Sequence, residues 1–208
     1  EALVCIGHFR ILPWAAIVSA VAVVALLVAL WASQQGSQSA WQPLFNGKDL
    51  EGWQVRTDNW SVSDGYIRSV PGSSSRTTLD TVEKFADVIL EAEFALGSSK
   101  ATSGIYLPND FQIDIGPSSG AMWISPRLGV AAPPPLAMVR DPGPGTWHQC
   151  RAVVRAGRIT VEIDGTVTTD FEDSRAAEKP LEGFIRLEHS GMEKAEGVWF
   201  RNLRVQRL

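Results

Sequence analysis

From Trp41 to Leu208 the sequence alternates apolar and polar residues in short runs, and turn signals break it at intervals of roughly 8–12 residues. In "DVILEAEFAL" (Asp87–Leu96), Val88, Leu90, Ala92 and Phe94 fall on one face, and Ile89, Glu91 and Glu93 fall on the other. That two-residue period is the signature of a half-buried strand. "WSVSDGYIRSV" (Trp60–Val70) places two such runs around Asp64-Gly65, and "WHQCRAVVRAGRITVEIDGTVTTDF" (Trp147–Phe171) places three around Ala156-Gly157 and Asp164-Gly165. Dipeptides with a second-position glycine favour hairpins, because a two-residue hairpin needs positive φ there. "SGIYL" and "FQIDI" are two further strands joined by "PND", and "GFIRLEHS" and "GVWFRNLRVQRL" close the series. Without long helices between strands, a doubly wound α/β fold is excluded. The pattern predicts an all-β sandwich or jelly roll. "TVEKFAD" (Thr81–Asp87) and "RAAEKP" (Arg175–Pro180) are candidate helices of no more than a turn or two. "VAAPPPLAMVRDPGPG" (Val130–Gly145) cannot be a central strand, since proline donates nothing to a ladder, and it reads as a long, stiff surface loop.

Upstream the pattern changes. No charged residue occurs between Arg10 and Lys48, and Ile11–Ala32 is almost wholly apolar. A membrane-spanning helix needs about 20 such residues. Trp14 and Trp31 stand near the two ends, roughly 25 Å apart at ~1.5 Å per residue, where interfacial aromatics are expected. The run exceeds the about 7–15 apolar residues of a cleaved signal, and Trp31 interrupts its exit. The reading is a cytoplasmic flank (residues 1–10), a transmembrane helix (11–32), a Gly/Ser/Gln-rich tether (33–42) and an extracytoplasmic, periplasmic sandwich (43–208). Orientation follows from Arg10, with His8, on the N-terminal side. Ala15, Ser19, Ala22, Ala25 and Ala29 form a small-residue stripe that permits close approach of another helix, so the membrane and other membrane-protein subunits are the expected partners.

The net charge of −4 argues against nucleic acid as a partner. Cys5 and Cys150 have neither zinc-ligand spacing nor a disulfide framework and read as inert thiols. "LFNGKDLEGW" (Leu44–Trp53) is not a phosphate loop, because no glycine precedes Gly47-Lys48 at the required distance and Asp49 follows the lysine. Asn46-Gly47 reads as a tight turn, with Leu44, Phe45, Leu50 and Trp53 as core anchors around it.

"LFNGKDLEGW", "WSVSDGYI", "FADVILEAEF", "TSGIYL", "GTWHQCRAVVRAGRITVEIDG" and "GFIRLEHSG…VWFRNLRV" follow one another in order. Together they resemble the 3-keto-disaccharide hydrolase domain family over Trp41–Leu208. The resemblance implies a concanavalin A-like, laminin-G-like jelly-roll sandwich, with the first and last strands side by side. It also implies a substrate in which a ketone at C3 acidifies the C2 hydrogen, so that a base can drive elimination of the group on C1. Such a site needs a base, a cation or divalent metal for the enolate charge, and aromatic walls for the sugar.

The candidate catalytic residues are His189, in "EHSG", which matches the family's His before Gly, with Asp114 in "FQIDI" and Glu93 in "EAEF". Glu93 and Asp114 are expected on one shared concave surface. Arg186 is the candidate to polarise the ketone, and Gln112, Tyr106 and Trp123 are candidates for sugar contacts. Each has a structural alternative: Glu93 on a solvated strand face, His189 as a hydrogen-bonded strand-end group, Trp123 in the core. One departure bears on activity. Where the family carries Tyr-Glu-x-Gln, this chain has Phe111-Gln112-Ile113-Asp114, and Gln112 cannot ionise. Histidine is confined to His8, His148 and His189, which excludes a multi-histidine metal centre. These two points place a non-catalytic glycan-binding or accessory role in a membrane complex ahead of 3-keto-glycoside hydrolysis, and they leave the metal open.

Overall fold

The computed structural model describes residues 40–70, 76–124, 131–177, 181–190 and 197–208. The apolar stretch 11–32, its flank and the tether up to residue 39 lie outside the described residues. Among the described residues no helix is long and apolar enough to cross a membrane. The strands are β1 (Gln42–Pro43), β2 (Trp53–Gln54), β3 (Trp60–Ser63), β4 (Tyr66–Ser69), β5 (Thr77–Thr81), β6 (Val88–Leu96), β7 (Ser103–Tyr106) and β8 (Phe111–Ile115). They continue as β9 (Ser118–Ser119), β10 (Met122–Ile124), β11 (Val139–Arg140), β12 (Trp147–Arg155), β13 (Arg158–Ile163), β14 (Thr166–Glu172), β15 (Arg186–His189) and β16 (Val198–Arg207).

Local chemistry sets the hairpins. Asp64 and Gly65 between β3 and β4 have φ of 53° and 79°, Ala156 and Gly157 between β12 and β13 have 47° and 87°, and Asp164 and Gly165 between β13 and β14 have 51° and 75°. Positive φ at both central residues gives the turn twist that matches the flanking strands.

The strands form two antiparallel sheets and a separate small β11–β9 pair. One has eight strands in the order β14-β13-β12-β6-β16-β4-β3, with β1 added against β16, and the other has six in the order β10-β8-β7-β15-β5-β2. Their facing sides make one core. Val88, Leu90 and Phe94 of β6, Phe200 and Val205 of β16, Phe111 and Ile113 of β8 and Leu187 of β15 are all fully buried. The outer face of β6 carries Glu91 and Glu93, bridged to Arg204 at 2.5 Å and Arg201 at 2.7 Å on the neighbouring β16. Arg201 also lies 3.9 Å over the Trp147 ring, so this sheet face is a lattice of paired charges on aromatic supports.

"LFNGKDLEGW" takes the structural role its composition implied. The Asn46 Oδ1 accepts the amides of Lys48 at 2.8 Å and Asp49 at 3.0 Å, while Gly47 supplies a φ of 77°. Leu44, Phe45 and Trp53 are buried, and the Trp53 indole donates to the Leu44 carbonyl at 2.7 Å. β1 then pairs with β16, placing the first strand beside the last. Thr81–Asp87 is not a helix: Thr81 ends β5 and Phe85 bridges Gly183. Of Arg175–Pro180, residues 175–177 belong to a single 3-10 turn, Ser174–Ala177. The described part of the proline-rich segment straps the sheet edge, where the Leu136 amide donates to the Thr168 carbonyl of the outermost strand β14 at 2.8 Å.

His148 holds one end of the sandwich. It is 4% exposed and stacks on Phe94, its Nδ1 lies 2.6 Å from Asp164 and its Nε2 lies 3.0 Å from Asp141. Burial opposes its protonation, yet the hydrogen bonds and charges of the two carboxylates carry its pKa above the ordinary histidine value. The stabilisation is therefore complete below the unfolded-state value and is lost as pH rises through the raised one. Urea unfolding is expected to show the protein less stable at about pH 9 than at about pH 6, with His148→Gln flattening that slope. An unchanged slope in the variant would refute the ion-pair account.

Candidate active site on the six-stranded sheet

The alternation along β15 sorts its side chains between two environments. Leu187 and His189 point into the core, where His189 is 1% exposed and meets the Trp60 ring edge-on at 6.4 Å. Arg186 and Glu188 take the opposite face. The same rule turns Tyr106 of β7, Gln112 and Asp114 of β8, and Thr78 and Asp80 of β5 to that outer face, because their neighbours Ile105, Phe111, Ile113 and Leu79 fill the core. Register then aligns them. Gln54, Asp80, Arg186, Tyr106, Gln112 and Trp123 stand directly opposite one another in sequence across β2, β5, β15, β7, β8 and β10. Beside this row, Thr78 pairs with Glu188, and Gly104 with Asp114.

Glu188 is the focus of the site. Its side chain is 2% exposed, Arg76 Nε lies 2.9 Å from Oε1, and the Tyr106 hydroxyl donates to Oε2 at 3.2 Å. Burial raises the Glu188 pKa above the ordinary range, and Asp114 adds to the rise, while Arg76, Tyr106 and Gln112 oppose it. Asp114, at the open rim, is also raised by the protein packed around it, with Arg76 opposing. Tyr106 is pushed up to about 12 by burial and by the Glu188 charge. Arg76, Thr102, Ser103, Gln112, Asp114 and Glu188 enclose a hollow of about 120 Å³. This is smaller than the about 300 Å³ of a typical ligand pocket, so a ring-sized ligand can place only an edge in it. Arg186 flanks the hollow, paired with Asp110 and stacked on Tyr106 at 4.6 Å.

Four of the sequence-derived candidates thus come together: Asp114, Gln112, Tyr106 and Arg186. Trp123 holds the register position opposite Gln112, and its side chain lies outside the described residues. Glu93 does not share their surface. It lies on the outer face of the eight-stranded sheet, bonded to Arg201 at 2.7 Å and Asn202 at 2.8 Å. Burial works against it, but those bonds hold its pKa below the usual carboxylate value, the opposite of what a base needs. His189 is turned into the core, one position out of phase with the site. Sequence reasoning missed Glu188 and Arg76. The available signal was parity: Arg186 and the residue two positions on must share a face, and that residue is Glu188.

Gly104 shapes the site. A Cβ there would meet Gln112 Nε2 at 1.9 Å, so the bare backbone lets the Gln112 amide lie across β7 toward Glu188. The donors present do not fit a divalent metal. Among the described residues no three His, Cys, Asp or Glu side chains are placed to hold one, and the guanidinium at 2.9 Å already occupies the cationic position beside Glu188.

Residues 40–206 match the model of the 3-keto-alpha-glucoside-1,2-lyase-like domain family. The chain belongs to this family. No curated protein matches its sequence. Its fold is shared with two proteins of Parabacteroides distasonis ATCC 8503 assigned as glycosyl hydrolases, each with a TM-score of 0.59. They are 17% and 22% identical, and each alignment covers 81% of this chain and 94% or 100% of theirs. A Bacillus licheniformis beta-glucanase aligns at a TM-score of 0.55 and 14% identity, over 84% of this chain and 100% of its own. Against the pattern that the family resemblance implied, Gln112 lacks a carboxylate, and Glu188 on a nearby strand brings one to the same hollow.

In Gly104→Ala the added Cβ would meet Gln112 Nε2 at 1.9 Å and Cδ and Cγ at 2.5 Å, so the whole Gln112 side chain is expected to swing away from Glu188. Losing the Gln112 hydrogen bond, the Glu188 carboxyl should titrate higher still, as read by NMR. An unshifted Glu188 in the variant would show that Gln112 has no part in the site.

Proposed function

We propose that the domain cleaves 3-keto-glycosides by base-assisted elimination on the outer face of the six-stranded sheet. The observation that carries this is a buried carboxylate of raised pKa, Glu188, in one hollow with a second raised carboxylate, Asp114, and the Arg76 guanidinium. Glu188 takes the proton from C2 of the oxidised sugar, and the C–H electrons move into the C2–C3 bond as the ketone becomes an enolate. Arg76 stabilises that oxygen. The electrons then return to re-form the ketone, a C1–C2 double bond forms and the C1–O bond breaks. Asp114 protonates the departing oxygen. Addition of water to C1 afterwards makes the net reaction a hydrolysis.

One observation favours a second reading, in which the domain binds a glycan or partner subunit without turning it over. Glu188 is nearly sealed, and Arg76 stands directly over it. In both readings residues 11–32 anchor the chain in the membrane, residues 1–10 remain cytoplasmic, and the sandwich lies outside.

With the full chain and a 3-keto-disaccharide, Glu188→Gln is expected to lower kcat about 100-fold or more. The acidic limb of the wild-type rate profile should fall above the ordinary glutamate range, because the base must be ionised and its pKa is raised. Absence of wild-type turnover with binding retained would select the second reading. For the anchor, the full chain is expected to stay in the membrane fraction after alkaline carbonate extraction, and a chain lacking residues 1–32 to be released. Release of the full chain would rule the anchor out.

A further inference from the structure

Asp80 is a buried carboxylate that the chemistry above does not use. It lies on the substrate face of β5, directly opposite Arg186, and is 6% exposed. Its Oδ1 is shielded from water and has no hydrogen-bond partner, and its Oδ2 comes no nearer than 3.8 Å to Arg56. The groups that ought to satisfy it are engaged elsewhere. Arg186 pairs with Asp110 and stacks on Tyr106, while the Gln54 amide donates to the Thr81 carbonyl at 2.7 Å. Arg56, whose side chain is 62% exposed, bonds Gln54 Oε1 at 2.6 Å. An unmet buried acceptor lowers stability, so its place beside a reactive hollow calls for a function.

We infer that Asp80 is a specificity residue, accepting a hydroxyl of the leaving-group sugar while Glu188 works on the oxidised one. The inference rests on the elimination reading. Arg186 and Glu188 are two residues apart on one strand, about 7 Å, so the Glu188 hollow and the Arg186–Asp80 pair lie within reach of the two rings of one disaccharide. A sugar whose C2 edge enters the Glu188 hollow therefore places its neighbour over Arg186 and Asp80. The pair offers that neighbour an acceptor and a donor side by side, which suits a neutral, hydroxyl-rich ring. An apolar aglycone gains nothing from Asp80. Arg56, long and exposed, is the cover that turns aside on entry.

The test compares Asp80→Leu with the wild-type full chain on two substrates, 3-keto-trehalose and 4-nitrophenyl 3-keto-α-glucoside. The expected result is a KM raised about tenfold for the disaccharide, with kcat within about threefold and the aryl substrate unaffected. The variant's Tm should equal or exceed that of the wild type, since an unmet buried acceptor has been removed. Equal effects on both substrates, or a Tm lowered by several degrees, would show a structural role and overturn the proposal. If the wild type turns over neither substrate, the elimination reading fails by itself. Calorimetry with 3-keto-trehalose then decides the role of Asp80: tenfold weaker binding by the variant supports it, and equal or absent binding overturns it.

Discussion

Strand parity within β15 governs the chemistry of this domain. Leu187 is locked into the core against the eight-stranded sheet, and with that position fixed the backbone leaves no freedom to its neighbours. Arg186 and Glu188 must face outward and His189 must face inward. Hydrogen-bonded register through β5, β7 and β8 then brings Asp80, Tyr106 and Gln112 level with Arg186, and Thr78 level with Glu188. The hollow is thus a property of the sheet more than of loops, and its polar groups inherit the rigidity of the core beneath them.

That rigid setting explains how carboxylates with different chemistry coexist in one molecule. Glu93 sits on an outer face with cationic and amide partners within 2.8 Å, which hold it ionised. Glu188 is buried, so desolvation outweighs its single arginine and favours the proton. Neither residue type nor local sequence separates them, since both occupy alternating strand positions. The difference lies in what each sheet's outer face does with water.

The sequence carried the fold further than it carried the site. The hairpin at Asp164-Gly165, the facing of Val88 to Phe94 and the anchoring of Leu44 and Trp53 follow from local rules that hold wherever the strand lies. The expectation that Glu93 and Asp114 share a surface required knowing which strands pair, and β6 and β8 prove to belong to different sheets. His189 attracted attention by its residue type, whereas parity with Arg186 selects Glu188. Arg76 has no local signature at all; it enters the site only because β5 lies beside β15.

The position of β16 bears on how the domain is made. This ten-residue strand follows every other strand in sequence, yet it lies between β6 and β4 and also carries β1. A polypeptide emerging in order from a ribosome holds β1, β4 and β6 without the strand that joins them. The larger sheet can close only after nearly the whole domain has emerged, and its folding is dominated by long-range pairing and is correspondingly slow.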